Sequence, residues 1–119
     1  INLIEFAGLS SSIEVRIGQC QDLVAELQHE IEPESVNLVY MDHNQSTYHK
    51  DLVQLEASGL LASHALFTAT QGLKPGAPLL LWMLVQAEQV AVWSEIEMTS
   101  SPDCGFKRME DWVIKATLA

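Results

Sequence analysis

The chain has 119 residues, of which 48% are hydrophobic and 18% charged, and its 16 acidic residues against 6 basic ones leave a net charge of −10. One domain with ample core is the natural expectation, and so low a charged fraction points to surface buried against something else. The acidic balance argues against nucleic acid and against an anionic membrane surface, both of which are held mainly by Lys and Arg, and it suits a basic protein partner.

Ile1–Gly8 reads as the end of an amphipathic helix, with Ile1 and Ile4, and Leu3 and Phe6, three apart and Gly8 as C-cap. Ile13–Ile17 (IEVRI) alternates apolar and charged residues, which predicts a strand. Gly18–Asp22 is expected to turn into a helix carrying Leu23, Leu27 and Ile31, stopped by Pro33. Val36–Met41 is a short apolar run of the buried parallel-strand type, ending abruptly in Asp42, His43, Asn44 and Gln45. Open α/β sheets bind ligands where the carboxyl end of a strand opens into such a polar loop. Tyr48–Leu61 predicts a second helix, with Gly59 near its end, and Ala65–Ala69 a second buried strand. Leu73–Pro78 reads as a rigid loop and Leu79–Val85 as a helical turn or more. Val90–Met98 predicts a strand, Thr99–Asp103 a connection, and Asp111–Ala116 a last strand.

Cys20 and Cys104 are far apart, which suits neither a disulfide framework nor a zinc site and favours a reducing compartment, such as the cytoplasm or an organelle stroma or matrix. Cys20 at a helix start is either a thiol of lowered pKa or a small buried hydrophobe. Leu79–Val85 is far shorter than the roughly 20 apolar residues of a membrane span, so no transmembrane segment is expected. Trp82, Trp93 and Trp112 are either core packing or interface anchors.

An ordered set of segments resembles the carboxyl-terminal half of the catechol O-methyltransferase family. It comprises Phe6-Ala7-Gly8, Gly18 with Gln21-Asp22, Met41-Asp42-His43, Tyr48, Leu55-Glu56, Gly59-Leu60-Leu61 and Pro75-Gly76-Ala77-Pro78. The resemblance implies a Rossmann-like sheet that binds S-adenosylmethionine and Mg²⁺. The metal would hold two catechol oxygens and acidify one, and a lysine would take the proton. It places Asp42 at the first metal ligand, Thr70 and Gln71 where the family has an aspartate and an asparagine, and Gln45 where it has the lysine base. Asn44 falls on the tryptophan that walls the ring slot and Pro75 on a slot proline. The glutamate for the second catechol oxygen falls near Gly105, with Asp103 the nearest carboxylate. Gly18, Cys20, Gln21 and His43 fall on the cofactor side.

These replacements remove two of three metal ligands and the base. The resemblance also starts this chain after the family's first two strands, which carry the Gly-rich cofactor loop. The expected fold is therefore α/β: one partial methyltransferase-like domain over residues 1–119, with a truncated Rossmann-like sheet that lacks those two strands. That sheet is expected to be mostly parallel with a C-terminal antiparallel hairpin. In the complete sheet those two strands lie between Ile13–Ile17 and Val36–Met41, which must now either pair directly or leave a gap.

The expected function is a non-catalytic, methyltransferase-like accessory or structural subunit, needing no cofactor, in a larger assembly of protein chains such as a respiratory or photosynthetic complex. The alternative is an S-adenosylmethionine- and Mg-dependent catechol-type O-methyltransferase whose N-terminal half is missing from this chain. A third reading is a small-molecule pocket, without turnover, built on Asp42 and Pro75.

Overall fold

The computed structural model describes residues 3–87, 91–100 and 108–117, with side chains left aside for Lys74 and for residues 91–100 and 108–111. In chain order the elements are α1 (Leu3–Phe6), α2 (Cys20–Glu30), β1 (Val36–Met41), α3 (Tyr48–Ser58), β2 (Leu61–Ala69), a π-helical turn (Gly72–Gly76), α4 (Pro78–Gln86), β3 (Ala91–Ser100) and β4 (Arg108–Thr117). The strands form one sheet in the order β1-β2-β4-β3. β1 and β2 are parallel, whereas β2–β4 and β3–β4 are antiparallel. The α/β class and the terminal hairpin are those expected from the sequence, but parallel pairing makes a smaller share of the sheet.

That smaller share follows from Ile13–Ile17, which is a correction to the sequence reading. These residues form no strand, and Ile17 is 97% exposed. Alternation makes a segment able to line a sheet, but a strand also needs an edge to pair with. Neither direct pairing nor a gap between two strands therefore arises: β1 is the edge of the sheet among the described residues, with β2 as its one strand neighbour there.

β2 runs longer than Ala65–Ala69 because it bulges. Val36 pairs with Leu61 but Leu38 pairs with Leu66, so β2 carries the extra residues, and His64 turns there into the left-handed region (φ 64°). Beyond the bulge the period is two. Ala65, Phe67 and Ala69 point into the core, and Ile114 and Ala116 of β4 join them from the neighbouring strand. On that face α3 brings Tyr48 and Leu52, and α4 brings Leu80 and Leu84. The opposite face carries Leu38, Tyr40 and Leu66, all exposed.

The helices start and stop for local reasons. α3 ends at Gly59, whose φ of 73° is the left-handed cap that only glycine enters freely. Pro78 opens α4 at a position where its missing N–H costs nothing. Gly72 is required by packing, because a Cβ there would lie 3.0 Å from the Ile114 side chain. Trp82 is 66% exposed on α4, so core packing is not its role. Among the described residues no helix is long and apolar enough to cross a membrane.

Candidate functional site

The carboxyl end of β1 separates two groups of side chains. On one side, a cavity of about 680 Å³ opens between the start of α2, β1 and α3, and its lining includes Gly18, Cys20, Gln21 and His43. The four residues that the resemblance assigns to the cofactor therefore surround one space, although they come from a loop, a helix start and the β1–α3 turn. Leu23, Val24 and Leu27 of α2 and Val39 of β1 add an apolar wall.

Asp51 organises this wall, and the sequence reading missed it. Its carboxylate lies 2.7 Å from His43 Nε2 and accepts the Thr47 hydroxyl at 2.8 Å. His43 also meets the Tyr48 ring edge-on at 4.8 Å. The Thr47/Asp51 spacing of four at a helix start was the available signal, since such residues share one face. The eight-residue separation from His43 carried none. Gln54, one turn further along α3, donates to the Gln21 carbonyl at 2.8 Å and ties α3 to α2.

Cys20 is partly buried in this wall, and its thiol is pushed up, first by burial and then by the charge of Asp51 and a hydrogen bond to it. This corrects the lowered-pKa alternative: the nearby carboxylate and the burial prevail over the helix start. A thiol-specific reagent at neutral pH is expected to label Cys20 several-fold more slowly than a free cysteine in a model peptide, since only the thiolate reacts. Asp51→Asn should speed that labelling; an unchanged rate in the variant would remove Asp51 as the cause.

On the other side lies the Asp42 corner. Thr70 donates its hydroxyl to Asp42 Oδ1 at 2.5 Å, and Gln45 donates its amide to Gln71 Oε1. Below them Tyr48, fully buried, donates its hydroxyl to the Met41 carbonyl at 3.1 Å, and that carbonyl also accepts the Thr70 N–H. Burial pushes the Tyr48 phenol up, hydrogen bonding with Thr70 opposes this, and the charge of Asp42 adds to it. Asn44 builds the turn into α3: its side chain accepts from the Ser46 N–H at 3.1 Å, and its carbonyl accepts from Thr47. Pro75 lies inside the π-helical turn. Asp103, Cys104 and Gly105 lie outside the described residues.

Mg²⁺ prefers hard oxygens in near-octahedral array, usually with one or two carboxylates. Asp42 is the sole carboxylate among the candidate ligands, and the Gln71 carbonyl is already engaged by Gln45. No group of three or more His, Cys, Asp or Glu side chains among the described residues could hold a metal ion. The donor set does not fit Mg²⁺.

No family model matches the chain. Catechol O-methyltransferase of Bos taurus is 33% identical over 76 residues, covering 64% of this chain and 28% of that protein. The enzyme of Mus musculus is 32% identical over the same length, covering 29% of that protein. The chain thus spans less than a third of these relatives. Among solved structures, the O-methyltransferase of Bacillus cereus in complex with SAH superposes with a TM-score of 0.75 at 12% identity, covering 97% of this chain and 55% of that one. TomG of Streptomyces achromogenes, an O-methyltransferase involved in tomaymycin synthesis and solved with SAM, gives 0.73 at 14% identity, covering 98% and 54%. The chain resembles catechol O-methyltransferase in sequence and has the truncated Rossmann-like fold of the O-methyltransferases. The homology points to S-adenosylmethionine-dependent O-methyltransferases, and none of these relatives points to an accessory role.

Proposed function

We propose that the chain is the carboxyl-terminal half of an S-adenosylmethionine-dependent O-methyltransferase unit and forms the adenosine side of its cofactor pocket. One observation carries this reading: Gly18, Cys20, Gln21 and His43 line a single cavity beside the carboxyl end of β1, where open α/β sheets take their ligands. The residues suit an adenosine. Leu23 and Val39 offer apolar faces to a base, and the Gln21 amide both donates and accepts. The cofactor, when bound, supplies a methyl group on a positively charged sulfur. This chain's part is to bind and orient it, with His43 held in place by Asp51.

The test is calorimetric titration of S-adenosylhomocysteine into the full-length gene product. Saturable micromolar binding is expected, weakened about tenfold or more when His43 is replaced by alanine. The absence of a binding isotherm would end the reading.

A second reading is favoured by the Asp42 corner, where Gln45, Thr70 and Gln71 replace the base and two ligands: a non-catalytic subunit of a larger protein assembly. Methyl-transfer assays with radiolabelled cofactor over a panel of hydroxylated acceptors discriminate the two. Transfer to any acceptor supports the enzyme; cofactor binding without transfer, together with stable co-purifying chains, supports the subunit.

A further inference from the structure

We infer that the corner joining the ends of β1 and β2 is a clasp closed by hydrogen bonds, and that it takes no divalent cation. The strand ladder stops at the Met41–Ala69 pair. Immediately beyond it, three links continue the join. The Thr70 N–H reaches the Met41 carbonyl at 3.1 Å, the Thr70 hydroxyl reaches the Asp42 carboxylate, and the Gln45 amide reaches the Gln71 carbonyl. Tyr48 adds a fourth from beneath, through its hydroxyl to Met41.

The groups are matched to one another. Thr70 and Gln45 act as donors, while Asp42 and Gln71 act as acceptors, and no buried side-chain polar atom among the described residues lacks a partner. Gln71 sits at φ 55°, a left-handed conformation that costs a non-glycine residue energy and persists where its surroundings hold it. Its bond to Gln45 is one such hold.

A divalent ion that took Asp42 Oδ1 and Gln71 Oε1 would compete with the hydrogen bonds from Thr70 and Gln45. In return it would gain a single negative charge, whereas a hard cation gives up its water reluctantly. The exchange favours the clasp.

Mn²⁺ is the probe, because the paramagnetic resonance signal of the free ion falls when it binds. With the full-length gene product, the loss of signal is expected to be the same for the wild type and for Asp42→Asn, which leaves only surface carboxylates to account for it. Stoichiometric uptake by the wild type that Asp42→Asn abolishes would overturn the inference. The double variant T70D/Q71N, which restores carboxylate and amide ligands, should take up one equivalent more. If that variant fails to fold, the wild type and Asp42→Asn still decide. Thr70→Val gives an independent reading through the melting temperature. A decrease of equal size in EDTA and in millimolar Mg²⁺ is expected, and a decrease seen only with Mg²⁺ would count against the clasp.

Discussion

Replacing Phe67 with alanine is expected to lower the folding stability of the full-length protein by about 3–5 kcal/mol, read from urea denaturation. Phe67 is fully buried on β2, a strand with neighbours on both sides. Its register partners are Val39 of β1 and Ala116 of β4, and Leu52, Leu80 and Leu84 belong to the same core. Alanine would leave a cavity that two strands and two helices cannot all move to fill. Against a total of roughly 5–15 kcal/mol for an ordinary domain, that loss is a large share. Leu66, the preceding residue, points to the opposite face and is 41% exposed. Leu66→Ala should cost about 1 kcal/mol or less. Equal losses at the two positions would mean that both faces of the sheet are packed, contrary to the one-sided core described above.

The triple variant Q45K/T70D/Q71N, made in the full-length gene product, is expected to methylate catechol about 10²–10⁴-fold faster than the wild type in the presence of Mg²⁺, since that is what a positioned base contributes. The reasoning is geometric. The side chains of residues 45 and 71 meet, and residue 70 touches Asp42. All of the altered positions therefore surround one corner, which the Gln45 side chain already reaches through its contact with Gln71. Asp42 with an aspartate at 70 and an asparagine at 71 meets the preference of Mg²⁺ for carboxylates and neutral oxygens. Either change alone should recover far less, because groups that act as a unit are strongly non-additive. Initial-rate assays with radiolabelled cofactor check this. A wild type already as fast as the triple variant would show that Gln45, Thr70 and Gln71 do not limit the chemistry.

Much of the fold was legible in short-range pattern. The apolar run that stops at Asp42, the helix closed by Gly59 and the proline that opens α4 each carry their cause within a few residues. The resemblance added the grouping of Gly18, Cys20, Gln21 and His43, which no local pattern could have supplied. Asp51 escaped notice because its importance is not local. It serves His43, Thr47 and Cys20, which lie on a turn, at a helix cap and on a different helix. A carboxylate on an exposed-looking helix turn reads as a solvated charge until those partners are brought to it.

By itself the sequence determined the helix over Cys20–Glu30, the strand Val36–Met41 that stops at Asp42 and the helix that Gly59 closes, because each depends on residue type and spacing alone; the chemical poverty of the Asp42 corner was legible through the family resemblance. Only the tertiary structure decided that Ile13–Ile17 is not a strand, that β2 bulges at His64, and that Thr70 and Gln71 spend their side chains on Asp42 and Gln45. The physical reason is common to all of them. Local pattern states what a segment is able to bond, whereas the partner that satisfies each hydrogen-bonding group lies elsewhere in the chain and is known only once the chain has folded.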